Sequence, residues 1–220
     1  MIFCFSDIDF EDVVEDYGAL ISPNDTVILS REITGVIDMP AEFNGNSHIF
    51  KDMMIFSKDK EIILIVCMRA KIGDRLFNSA MLIDSGRVFG VSDEISPLKG
   101  YERGNVIRSY LTSRGRVCLF VDSDICYPAL WQSCFLNCRY IFSLNSTPID
   151  KERIACAKTL AMATGKHVLV QFCDACVSIN GYGKIESIKS GRMSAFYLPI
   201  SLTKGYTVDK KIKFVEEKGD

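Results

Sequence analysis

Two strand ends in this sequence carry side chains able to do covalent or acid–base chemistry. The first is "VILSREITG", Val27 to Gly35, where an apolar run delivers Arg31 and the Glu32 carboxylate to its C-terminal end. The second is "GRVCLFVDSDICYPALW", Gly115 to Trp131. Here the apolar run stops on Asp122, a second acid follows at Asp124, Cys126 supplies a thiol, and Pro128 opens the next element. A sharp strand-to-helix turn lifts a side chain clear of the sheet edge and so suits a nucleophile. A carboxylate can serve as general base, and a thiol attacks once it has lost its proton.

Other reactive groups offer less. Cys173 and Cys176 have C-x-x-C spacing and Cys134 and Cys138 have C-x-x-x-C spacing, but His48 and His167 are remote from both pairs, so no zinc signature results. Cys67 and Cys118 lie inside apolar runs and read as small core residues. Asn180-Gly181-Tyr182-Gly183 lacks the lysine of a phosphate loop and reads as a hairpin turn.

The periodicity predicts the elements that must position these groups. It predicts strands at Ile2 to Phe5 and through "TVILS", with a helix from about Asp9 to Leu20 between them that carries Phe10, Val13, Val14, Tyr17 and Leu20 on one face. Asp7 or Asp9 can cap that helix. A weaker helix spans Asn44 to Lys58. Strands follow at Ile62 to Met68, Asn78 to Asp84 and Arg87 to Val91, the last two joined by the turn Asp84-Ser85-Gly86. "SDEISPLKGYERGNV" reads as a loop. Beyond it the pattern gives a strand at Val117 to Val121, a helix at Pro128 to Asn137, a strand at Tyr140 to Leu144 and a helix at Ile149 to Thr164 ended by Gly165. Strands at His167 to Phe172, Cys176 to Ile179, Lys184 to Ile188 and Ser194 to Ile200 complete a mixed α/β chain. Its layers are open rather than closed into a barrel.

Composition narrows the classes. The 220 residues include 48% hydrophobic and 25% charged residues, which fits one globular domain with a charged tail from about residue 208. A net charge of −2 with scattered Lys and Arg offers no cationic field for nucleic acid. The N-terminus has no basic region or cleavage site of a signal peptide, and the longest apolar runs are strand-sized, so no membrane is expected. Nine cysteines without a framework pattern suit the cytoplasm.

The order of these elements and the residues at their ends resemble the nitrilase superfamily, the carbon–nitrogen hydrolases. "VILSREITG" has the form of the family's first signature, with Arg31 where proline is usual and Glu32 at the general base. Phe77-Asn78-Ser79-Ala80, leading to the hairpin glycine Gly86, is the most specific match. Counting on from Gly86 puts Glu94 where the family has its catalytic lysine, and Glu102 where its second glutamate stands. Gly115, Asp124, Tyr127, Pro128 and Leu130 align without a gap on the nucleophile motif, placing Asp122 at the cysteine. A rival register that makes Cys126 the nucleophile loses the glycine, the acid and the proline.

The resemblance implies an α-β-β-α sandwich over residues 1–220, with Glu32, Glu94 and Asp122 meeting in one pocket and Glu102 near. The family reaction needs a thiolate, a carboxylate base and a lysine at the oxyanion. Only Glu32 of that set is kept. The expectation is a protein inactive by the cysteine route, acting in ligand binding or assembly as a homodimer or higher homo-oligomer. The alternative is an altered amidohydrolase acting on a small amide, with water or Cys126 as nucleophile. No cofactor or resident metal is implied; the ligand would be a small amide, an amine, or a cation drawn to the acids. For Asp122 a second role is open, as cap of the turn leading to the helix at Pro128.

Overall fold

The computed structural model describes residues 1–31, 35–97, 99–105, 107, 109–135 and 138–197. One sheet is seven-stranded, in the order β13-β1-β2-β4-β5-β6 with β3 added beside β4. Its strands are β1 (Ile2–Phe5), β2 (Thr26–Leu29), β3 (Val36–Asp38), β4 (Ile63–Ile72), β5 (Arg75–Asp84), β6 (Arg87–Asp93) and β13 (Met193–Phe196). The other is six-stranded, in the order β12-β11-β10-β9-β8-β7. It comprises β7 (Ser109–Thr112), β8 (Gly115–Val121), β9 (Cys138–Leu144), β10 (His167–Gln171), β11 (Ala175–Ile179) and β12 (Ile185–Ser190).

Alternation along the strands builds the layers, because successive side chains leave a strand on opposite faces. On β2, Ile28 points between the sheets, where it shares a cluster with Ile63, Ile65, Leu119, Val121 and Phe142. Its neighbours Val27 and Leu29 point the other way. There they meet helices α1 (Phe10–Tyr17) and α3 (Ile49–Asp59) through Val13, Phe50, Met53 and Phe56. On the far side, Phe120, Val168 and Val170 pack against Ala157, Leu160 and Ala161 of α5 (Lys151–Thr164). The result is a sandwich of helices, two mixed sheets and helices, as expected from the sequence. At the heart of each sheet three strands run parallel, β1-β2-β4 and β8-β9-β10, so their C-terminal ends open on common edges.

Several local expectations are corrected. The first helix stops at Tyr17 and tightens into a 3-10 turn, Gly18–Leu20, and Asp9 sits at its N-cap position without a capping hydrogen bond. The weak helix starts at Ile49, because Asn44 to His48 form the connection from a separate short helix, α2 (Met39–Phe43), opened by Pro40. Strands β3 and β7 are too short to show a period. The helix expected from Pro128 to Asn137 is instead a 3-10 turn, Pro128–Leu130, followed by the single turn α4 (Gln132–Phe135). Residues 136 and 137, the end of the last predicted strand and the charged tail lie outside the described residues.

Candidate functional site

The site grows from the end of β8. Val117 to Val121 are all buried, and the chain then turns sharply at Asp122, whose φ of 44° is in the left-handed region. A non-glycine residue there is uncommon, and aspartate is among the few that tolerate it. Asp122 thus begins a 3-10 turn, Asp122–Cys126, rather than capping it, and the turn is held by Trp131, whose Nε1 donates to the Ile125 carbonyl at 2.9 Å. The role of Asp122 as a cap is therefore corrected: its carboxylate is used elsewhere.

That carboxylate is 5% exposed and receives four donors. Oδ1 accepts from the Ser146 backbone N–H at 3.0 Å and from Arg153 Nη1 at 2.9 Å. Oδ2 accepts from Ser146 Oγ at 2.8 Å and from Asn78 Nδ2. Arg153, on the first turn of α5, also donates from Nη1 to Asn145 Oδ1 at 2.9 Å and to Thr147 Oγ1 at 2.8 Å.

Asn78, buried on β5, joins this centre to the second acid. Its Nδ2 donates both to Asp122 and to Glu94 Oε2, the latter at 2.9 Å, which uses both amide hydrogens. Glu94 follows β6 and is 2% exposed; its Oε1 accepts from the Ser123 N–H at 3.1 Å and from Ser123 Oγ at 2.8 Å. Its own N–H donates to the Asn78 carbonyl at 2.8 Å, and its carbonyl accepts from Gly104 at 2.8 Å. A methyl group on Gly104 would fall 2.4 Å from the Asp93 carbonyl oxygen, so that close approach requires glycine. On the outer side Arg31 Nη1 reaches Asn78 Oδ1 and the Tyr101 hydroxyl, each at 3.4 Å.

Asp124 forms a second buried clamp. It is fully buried, and its two oxygens accept from the Ile95 N–H at 3.0 and 2.9 Å while Oδ1 also accepts from the Ser96 N–H at 3.1 Å. Burial pushes its carboxyl up to about 7 against the pull of those two backbone donors, and the charges of Glu94 and Asp122 add to the rise.

Two of the residues singled out in the sequence therefore meet, Glu94 and Asp122, through Asn78. Glu32 lies outside the described residues. Glu102 is exposed, and its backbone N–H donates to the Leu76 carbonyl at 2.7 Å. Its neighbour Tyr101 makes a side-chain link to Arg31. The Cys126 thiol is pushed up to about 12, first by burial and then by the Cys156 thiol beside it. It keeps its proton at neutral pH and has little of the thiolate an attack requires.

Sequence reasoning missed Arg153. A signal was available: Arg153, Ala157 and Leu160 are spaced to share one helix face, and the two apolar members are fully buried. A cation in that stripe needs a buried anion. The cation that meets Asp122 here is the chain's own guanidinium. Among the described residues no group of three His, Cys, Asp or Glu side chains is placed to hold a metal ion.

No protein-family model and no curated protein sequence matches the chain. Solved structures do match. A carbon–nitrogen hydrolase from Helicobacter pylori G27 superposes with a TM-score of 0.67 at 12% identity, covering 86% of this chain and 84% of that one. The chain has the nitrilase fold. An amidase from Nesterenkonia sp. AN1, solved with butyramide, gives a TM-score of 0.69 at 11% identity over 88% of this chain and 87% of its own. A Saccharomyces cerevisiae member of branch 10 of the nitrilase superfamily gives 0.66 at 11% identity over 87% of each chain.

Proposed function

We propose that this chain is a degenerate carbon–nitrogen hydrolase, inactive by the cysteine route, that acts in ligand binding or assembly. The observation that carries the reading is the state of Asp122. It stands on the strained turn at the end of β8, buried, with four donors already on its carboxylate and Arg153 ion-paired to it at 2.9 Å.

A carboxylate in that position is a poor nucleophile toward an amide. Attack would form a mixed anhydride while expelling an amine far more basic than the attacking group, and the anionic intermediate reverts. Its lone pairs are also engaged. Glu94, fixed beside it, puts negative charge where a tetrahedral oxyanion needs donors, and loss of even one such donor costs about 2.7–4 kcal/mol in known hydrolases. The only thiol on the turn, Cys126, holds its proton.

Assembly is the accompanying proposal. Tyr127 and Phe135, on the segment that follows the turn, are 45% and 53% exposed, and they give this helical face an apolar character suited to a second copy of the chain. The test is turnover of a panel of small amides and nitriles by the wild type, Glu32→Gln and Cys126→Ala, with light scattering on the same samples. The expected result is no turnover above the buffer rate in any of them and a mass above that of the monomer. Turnover that both substitutions abolish would overturn the reading.

A further inference from the structure

A second concavity lies on the opposite helical layer, far in the fold from Asp122. It is a groove of about 530 Å³ between α2, α3 and the β5–β6 hairpin. Its walls are apolar: Phe43, Ile55 and Val88 are 78%, 47% and 43% exposed, and Met54 also lines it. The hairpin approaches α3 so closely that a methyl group on Gly86 would fall 2.8 Å from the Lys58 Cβ, which closes that end of the groove.

Charge and hydrogen-bonding capacity decide what fits. Lys51 and Lys58 line the groove from one face of α3, two turns and roughly 10 Å apart along the axis. Both are exposed, and among the described residues neither ammonium has an ion-pair partner. Glu42, the acid on the rim, is already spent: it accepts from Ser47 Oγ, from the Ile49 N–H at 3.3 Å and from the Phe50 N–H at 3.0 Å, capping α3. The backbone of both helices is used internally. A hydrocarbon chain needs no hydrogen-bond partner from such walls.

We propose that this groove binds a medium-chain carboxylate. The chain lies over Phe43, Met54, Ile55 and Val88, and the carboxylate pairs with Lys58, at the end away from Glu42. The volume falls within the usual range for small-molecule sites. This inference does not depend on whether the β8 turn supports any hydrolysis.

Titration calorimetry of the full chain with decanoate, below the concentration at which it forms micelles, tests it. The expected result is saturable one-to-one binding, weakened about tenfold or more by Lys58→Glu and by Val88→Asp, less by Lys51→Glu, with decylamine binding no better than the variants do. No saturable binding, equal binding of decylamine, or affinity unchanged in Lys58→Glu and Val88→Asp would each overturn the proposal. So would light scattering that shows the groove occupied by a second copy, through a concentration-dependent mass that Val88→Asp reduces to the monomer. Retained near-ultraviolet circular dichroism separates these outcomes from misfolding.

Discussion

The β8 turn and the α2–α3 groove handle charge in opposite ways. At the turn, two buried carboxylates, an amide, two hydroxyls and a guanidinium satisfy one another. On the groove, two ammonium groups line an apolar wall with no anion paired to them among the described residues. The acids at the turn spend their acceptors on partners within the chain, whereas the ammonium groups at the groove do not. Binding capacity lies where groups are left over.

The largest effect expected from breaking that contrast comes from Arg153. Arg153→Met leaves Asp122 buried without its cation and should cost about 3–5 kcal/mol of unfolding free energy in urea titration. Asp122→Asn combined with Arg153→Met should cost less than the two single changes added together, since the double variant leaves neither charge stranded.

Next is the pH dependence carried by Asp124. Its folded pKa of about 7 lies above the ordinary 3.8, so the folded state binds more protons than the unfolded state in between. Its contribution to stability is full below pH 3.8 and is lost as pH rises to about 7. The slope is at most about 1.4 kcal/mol per pH unit. Denaturation of the wild type and Asp124→Asn across that range should show the difference between them shrinking or reversing as pH rises; parallel curves would refute the raised pKa.

Asn78→Leu, which removes the donor shared by Glu94 and Asp122, should cost about 1–3 kcal/mol in the same urea titration. At the groove the same logic predicts almost nothing for the folded state. Lys51→Glu with Lys58→Glu should leave stability within about 0.5 kcal/mol of wild type, because no internal partner is lost.

How legible the site was in the sequence follows the range of the interactions. The end of β8 at Asp122 and the hairpin at Gly86 are local signals of period and turn chemistry, and both read correctly. Pairing of Glu94 with Asp122 came from matching motifs rather than from any local pattern, since the two meet through Asn78 on a third segment. Arg153 was missed because its partner is 31 positions away. Tyr101, which bonds Arg31, was not foreseen beside Glu102, because counting along a loop fixes neither its path nor the direction of its side chains. The pattern and the opening proline predict a helix from Pro128 to Asn137, yet Pro128 to Phe135 break into short turns around Trp131 and its bond to the Ile125 carbonyl.

The left-handed turn at Asp122 also bears on the order of assembly. Its side-chain donors come from Asn78, Ser146 and Arg153, which stand 44, 24 and 31 positions away on β5, the loop after β9, and α5. Trp131 holds the turn locally, but the Asp122 carboxylate is satisfied only once the two sheets have docked and α5 has settled on them. Substitutions at Asp122 should therefore leave the refolding rate almost unchanged and speed unfolding, a signature that stopped-flow kinetics would read as a low φ-value.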